Sequence, residues 1–262
     1  MHLDQSHVLN STQEPNPGRY VAGTVLSNTI CPRTETILAL AQLIEKHSVI
    51  LIRGTPASGK SIMAKLLCRC YASERKQRIV FVADWADWFK SNKKTVDFLV
   101  DMCHLQGHRN VRKGNLLNEV NDDLIFILDE GQLTYDDPYF WYSFLKERLA
   151  MLGGPRFCIF SSYSSSITGS PDYPISSPPT ILRSEQQVSL IVPQSYVGHN
   201  VCLFFQRHEF DDAVKRHVDV MDYTINRDVQ DYIFTQTNGH PGVAGAMLRY
   251  IDQVLYSAAL RN

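Results

Sequence analysis

The sequence predicts an α/β fold: a three-layer α/β/α core with a parallel sheet, followed by a small C-terminal helical lid. Three observations predict it. Short apolar runs rich in β-branched residues alternate with stretches of helical periodicity from about residue 32 to residue 192. A glycine-containing octet, Gly54–Ser61, joins the first of those runs to a helix. After Pro193 the alternation stops and only helical periodicity remains. The chain accordingly divides into a tail or lead-in (1–30), the α/β core (31–193) and the helical lid (194–262).

The elements follow in order. Residues 1–30 are polar, carry Glu14-Pro15-Asn16-Pro17-Gly18 and show no sustained period. Behind Pro32, apolar residues Ile37, Leu38, Leu40, Ala41, Leu43 and Ile44 recur at helical spacing up to Lys46-His47. Ser48–Ile52 reads as a buried strand, and Ile62, Met63, Leu66 and Leu67 mark a helix running to about Ala72. A second strand is expected at Ile79–Ala83, a helix at Thr95–Leu105 and a third strand at Leu124–Leu128. Phe140, Trp141, Phe144, Leu145 and Leu149 give Pro138–Leu152 a helical pattern, closed by Gly153-Gly154-Pro155. A fourth strand is expected at Phe157–Phe160 and a long Ser/Pro-rich loop from Ser161 to Ser184. A fifth strand is expected at Gln187–Val192, and lid helices at Val201–Val218, Arg227–Thr237 and Val243–Ala259.

The octet fits G-x-x-x-x-G-K-[ST] at every fixed position, with a strand before it and a helix after it. Such a P-loop turns the backbone so that successive N–H groups converge on phosphate oxygens, and the following helix adds a favourable dipole. Gly54, Thr55, Pro56, Ala57, Ser58, Gly59, Lys60, Ser61 and the next residue, Ile62, are therefore the candidate nucleotide-binding residues. Lys60 places a cation on the β- and γ-phosphates and counts among the catalytic candidates. The Ser61 hydroxyl is a candidate Mg²⁺ ligand.

Leu124–Leu128 ends in two carboxylates. Asp129 is the second candidate Mg²⁺ ligand, and Glu130 is placed to orient and deprotonate an attacking water. Ser161, at the tip of the fourth strand, is a candidate sensor of the γ-phosphate. Arg183, just before the fifth strand, is the candidate for charge compensation there, with Arg148, Arg156 and Arg249 as alternatives. Asn238-Gly239-His240-Pro241-Gly242 separates two lid helices. It is a stop signal followed by a helix start, and His240 and Pro241 are also candidates for contact with the nucleotide base.

Composition excludes little but bounds the partners. The 262 residues are 44% hydrophobic and 20% charged, with a net charge of −1, so no global field pulls the chain toward nucleic acid or anionic membrane. No apolar run approaches a bilayer span, and the N-terminus has no secretory pattern. The six cysteines suit reduced thiols and an intracellular protein, cytoplasmic or nuclear. Cys68, Cys70, Cys103, His104 and His108 form the one cluster with metal-binding residue types, but Cys68 and Cys70 lie two apart on a helix and face different directions. The basic residues Lys90, Lys93, Lys94, Arg109, Arg112 and Lys113, near Trp85, Trp88 and Phe89, leave nucleic-acid contact open beside the simpler reading of a solvated basic face.

The octet, the Leu124–Gln132 stretch and the Thr237–Gly242 turn together resemble the AAA+ and STAND ATPases. Pro32-Arg33-Thr34-Glu35 is similar to the Gly-Arg-Glu element of STAND proteins, with proline in place of glycine. More narrowly, residues 30–255 resemble the ATPase domains of fungal and oomycete Crinkler-type proteins, through Asp129–Gln132 with Tyr139-Phe140-Trp141, Phe160–Tyr163 and Phe210-Asp211-Asp212. The resemblance implies ATP rather than GTP, ATP hydrolysis, and a nucleotide-dependent switch or regulatory module with a protein partner or self-association. If Crinkler-like, it also implies delivery into a host cell. The rival readings are a non-hydrolysing nucleotide-bound interaction module, a nucleic-acid-dependent ATPase and a P-loop kinase.

Overall fold

The computed structural model describes residues 26–74, 77–162, 182–191, 199–221 and 223–259. Most of the expected lead-in and of the Ser/Pro-rich loop lies outside them. Five strands, β1 (Val49–Gly54), β2 (Arg78–Val82), β3 (Leu124–Leu128), β4 (Arg156–Ser162) and β5 (Gln187–Val188), form one parallel sheet in the order β2-β3-β4-β1-β5. Its central strands are continuously apolar because helices cover both faces.

Side-chain alternation sorts each strand between those faces. Val49, Leu51, Phe126, Leu128, Phe157 and Ile159 join a core with α4 (Thr95–Leu105), a π-helical turn at Tyr139–Phe144 and α5 (Leu145–Ala150). Ile50, Ile52, Ile125, Ile127, Cys158 and Phe160 join the opposite core with α1 (Thr34–His47) and α2 (Lys60–Glu74). This is the expected three-layer arrangement. The π turn lets adjacent Phe140 and Trp141 both reach the core. Cys68 and Cys103 fall in cores on opposite faces of the sheet.

Three C-terminal helices, α6 (Arg207–Met221), α7 (Arg227–Thr237) and α8 (Pro241–Ala259), close on a smaller cluster of Phe210, Val214, Ile233, Ala244 and Leu248. Among the described residues no helix is long and apolar enough to cross a membrane.

Three elements differ from the sequence reading, the first being β5, which ends at Val188 where a strand to Val192 was expected. A short helix, α3 (Ala86–Ser91), follows β2. It has no buried residue, so it carries no apolar period to read. The first lid helix begins at Arg207 rather than Val201, because the preceding residues run extended: Leu203 N donates to Ser189 O (3.0 Å) and Phe204 N to Leu190 O (2.8 Å). The carbonyls of Cys202, Leu203 and Phe204, which would otherwise accept helical bonds, all accept from the Arg33 guanidinium. Arg33 also pairs with buried Glu209 at 3.0 Å.

Candidate functional site

The P-loop leaves β1 at Gly54, and α2 begins at Lys60. Positive φ at Ala57 (60°) and Gly59 (91°) folds the loop back over the helix start, and Ser58 N closes it on Thr55 O (3.3 Å). Lys60 is 5% exposed, and its Nζ donates to Gly54 O (3.3 Å) and Thr55 O (2.9 Å). Burial pulls its pKa below the ordinary lysine value, while the negative charges of Glu130 and then Asp129 oppose that shift. The lysine and the two acids thus share one electrostatic neighbourhood.

Asp129 is held where β3 ends. Its N–H donates to Val82 O (2.8 Å), and its carbonyl accepts from Trp85 Nε1 (2.7 Å). Its buried side chain is hydrogen-bonded to the Ser61 hydroxyl. Burial raises the carboxyl above its usual range; the Ser61 bond opposes this and the Glu130 charge adds to it. A raised folded-state pKa means that this group's favourable contribution is complete below the ordinary carboxylate range and is lost as pH rises through the folded pKa. Asp129→Asn is therefore expected to melt higher than the wild-type protein at neutral pH, with the difference vanishing in acid. Melting curves across that range check it, and a neutral-pH midpoint below wild type would contradict it.

A cleft of about 630 Å³ opens over these groups. Lys60, Ser61, Glu130 and Ser162 line its polar end, with Pro56, Ala57, Gly59 and Ile62 beside them. Its other wall comes from Thr29–Cys31 ahead of α1 and from α6 and α8, through Phe210, Ala213, His217 and Leu248.

The turn before α8 closes directly on the P-loop. Gly242 N donates to Ala57 O (3.0 Å), and His240 Nε2 lies 3.5 Å from Thr55 Oγ1. A Cβ at residue 242 would come within 2.5 Å of Ala57 Cβ and 2.6 Å of Ala57 O, so this approach requires glycine. Pro241 faces the cleft; His240 instead props Thr55 and packs on Phe204, with ring centroids 4.8 Å apart.

The structure thus brings Lys60, Ser61, Asp129, Glu130 and Pro241 together; His240, expected against the base, lies outside the cleft lining, and two further expectations need correction. Ser161 does not face the cleft: it is fully buried, its hydroxyl 2.6 Å from Tyr135 Oη, and strand alternation gives the cleft Ser162 instead. Arg183 lies at the wrong end of the sheet. Gln186 of the same turn donates to His47 O and Val49 O at the start of β1, roughly 17 Å of strand from Gly54. In a parallel sheet the segment entering β5 cannot reach the carboxyl ends of the strands.

The alternative arginines divide similarly. Arg148 is buried and bonds Pro155 O, Met151 O and Gly154 O, while Arg156 bonds Asp122 O, so both serve the loops at the amino end of β4. Arg249, on α8, lines the cleft. Of the basic group on the α3–α4 side, Lys90 pairs with Asp87, Lys93 with Asp101 and Lys113 with Asp97.

Sequence reasoning missed the cleft wall at Thr29–Cys31, which carries no periodic signal. It also missed Gln132, whose amide joins Glu130 to the tip of β4; the only sign was a polar residue two positions behind an acid pair.

Residues 33–127 match the family model described as Novel STAND NTPase 3, a span that includes the P-loop and ends one residue before the last of β3. No curated protein matches the chain. Among solved structures the chain is similar to a Walker-type ATPase of Pyrococcus abyssi, at 14% identity over 88% of this chain and 75% of that one, with a TM-score of 0.45. It is also similar to the RuvB Holliday junction branch migration motor of Thermotoga maritima, at 13% identity over 87% of this chain, with a TM-score of 0.40. The chain spans 63% of that RuvB chain.

Proposed function

We propose that this chain is an ATP-binding, ATP-hydrolysing module whose nucleotide state sets how the C-terminal helices sit on the α/β core. The observation that carries the reading is the convergence of Lys60, Ser61 and Glu130 on one cleft that Pro241 and Gly242 also line, with Asp129 bonded to Ser61 beneath it. The match of residues 33–127 to a STAND NTPase model supports the nucleotide assignment. The finer likeness to Crinkler-type ATPase domains rests on the motifs alone.

The residues fit the groups they would hold. A buried ammonium that, among the described residues, bonds to neutral carbonyl oxygens suits a polyphosphate, whose negative charge it would meet there. Ser61 and Asp129 are the hard oxygen donors that Mg²⁺ takes, one or two from protein and the rest from water and phosphate. When bound, the metal neutralises charge on the β- and γ-phosphates. Glu130, at the rim of the same end, would accept a proton from water aimed at the terminal phosphate. Lys60 stabilises the negative charge that develops there. The apolar wall of Phe210, Ala213 and Leu248 would take the base, and Pro241 would lie against it or the ribose.

Because α6 and α8 contribute that wall while the P-loop binds the phosphates, one nucleotide would contact both halves, and hydrolysis would change the contacts favouring closure. The base is assigned to adenine from the family resemblance. Carboxylates already pair with Lys90, Lys93 and Lys113, which favours this reading over nucleic-acid dependence.

Phosphate release with ATP and GTP, with and without DNA or RNA, tests the proposal. Glu130→Gln is expected to keep ATP binding and to lower turnover about 100-fold. Tight binding with no release by the wild-type protein would instead favour a non-hydrolysing interaction module, and stimulation by nucleic acid would favour a motor.

A further inference from the structure

We propose that Gln132 is the positioning residue for Glu130, fixing its carboxylate at the phosphate end of the cleft by tying it to the main chain of Ser162. The inference rests on the reading of Glu130 as the group that activates water.

The geometry begins where β3 stops. Asp129 is still part of the ladder through its bond to Val82 O, so the chain must turn at once. It does so by placing Glu130 in the left-handed region at φ 55°, an uncommon conformation for a residue with a Cβ and one often found at functional sites. Glu130 N closes the turn by donating to Asp129 Oδ1 (3.1 Å). The next residue lies hard against β4: a Cβ at Gly131 would fall 2.3 Å from Ile159 Cγ2 and 3.3 Å from Phe160 O. The turn is thereby seated on the neighbouring strand rather than left to move in solvent.

That seating brings the Gln132 amide between two groups of opposite character. Its Nε2 donates to Glu130 Oε2, and its Oε1 accepts from Ser162 N at 2.9 Å. The two partners fix the amide orientation, since the flipped form would set a donor against the Ser162 N–H and an oxygen against the carboxylate. Glutamate in its place keeps the acceptor but turns a second carboxylate on Glu130 in place of the donor; methionine keeps the length and loses both. Ser162 is the residue of β4 paired with Gly54 at the root of the P-loop, and it lines the cleft. Glu130 is therefore referenced to the strand tip nearest the phosphate cradle, although its own side chain is long and half-buried.

The test compares Gln132→Met and Gln132→Glu with the wild-type protein, and each with its Glu130→Gln counterpart. Measured quantities are the dissociation constant for Mg²⁺·ATP, the single-turnover cleavage rate and the melting midpoint. For Gln132→Met the expected result is unchanged affinity, cleavage slowed about 10- to 100-fold, the scale of a misplaced reacting group, and a melting midpoint lowered by the unpaired Ser162 N–H. In the Glu130→Gln background neither change is expected to slow cleavage further, because the two residues act as one unit. Gln132→Glu retains the tie to Ser162 N but sets a second carboxylate against Glu130, displacing the Glu130 carboxylate by repulsion, and so serves as the test should the methionine variant fold poorly. Normal cleavage by Gln132→Glu, or an equal further loss in the Glu130→Gln background, would overturn the inference. If Glu130→Gln itself cleaves at the wild-type rate, the parent assignment of Glu130 falls as well. Loss in Glu130→Gln with none in the Gln132 variants removes only the role given to Gln132.

Discussion

ATP affinity is expected to fall by at least about 30-fold when Lys60 is replaced by alanine. The ammonium is almost wholly buried, and its two bonds go to carbonyls of the loop that would cradle the phosphates. Removing one partner from a buried, hydrogen-bonded charge pair costs about 2–5 kcal/mol of binding, or roughly 30- to several-thousand-fold in affinity. The variant is not expected to lose binding by unfolding. Burial depresses the lysine pKa, so the charged form is disfavoured by the fold at neutral pH, and that penalty disappears with the side chain. Titration calorimetry with Mg²⁺·ATP, paired with a melting curve of the nucleotide-free variant, separates the two effects. Wild-type affinity in Lys60→Ala would defeat the assignment of the cleft.

The core of this site was legible because its signal is local. The P-loop needs glycines, lysine and serine at fixed spacing between a strand and a helix, and all of them lie within Gly54–Ser61. The strand ending in Asp129-Glu130 is equally local: five apolar residues, each fully buried, followed by two acids. The fold class follows from the same elements, since strand runs separated by helical stretches leave a parallel sheet covered on both faces as the natural solution. The Asn238–Gly242 turn was visible as a helix break. Its contact with Ala57, across 185 residues of sequence, was not.

What could not be read is what depends on register and on which end of the sheet a segment meets. Ser161 and Ser162 are chemically identical neighbours, and only the pairing of Ser162 with Gly54 puts the second of them in the cleft. Arg183 looked well placed because it precedes a strand, yet the parallel direction of β5 sets that position opposite the site. The Thr29–Cys31 wall has no pattern of its own and is defined by what packs around it. Cys31 is buried there, and desolvation pushes its thiol up to about 12.

The largest stability effect is expected at Arg33, which the sequence offered only as part of a resemblance. Its guanidinium donates to three successive carbonyls, Cys202, Leu203 and Phe204, and to Glu209 at the start of α6. It also lies 5.3 Å from the Phe205 ring centre. One side chain ahead of α1 therefore binds three successive carbonyls of the stretch that leads into α6. Arg33→Ala would strip the guanidinium from those carbonyls and leave Glu209 buried without its cation, held among the described residues by Thr36 Oγ1 and Gln206 N. Breaking a buried pair in this way costs about 3–5 kcal/mol.

The backbone adds nothing to that figure, because Arg33 sits at φ 49° and alanine carries the same Cβ into the left-handed region. Arg33→Lys is expected to rescue little, since a point-like ammonium cannot serve three carbonyls and a carboxylate spread over a planar fork. Replacing both partners, as in Arg33→Met with Glu209→Leu, is expected to recover most of the loss by removing the stranded charge. Urea unfolding of the two single variants and the double variant measures this coupling. A loss below about 1 kcal/mol in Arg33→Ala, the scale of an exposed pair, would mean that the guanidinium is hydrated in solution and that the C-terminal helices are held on the core by something else.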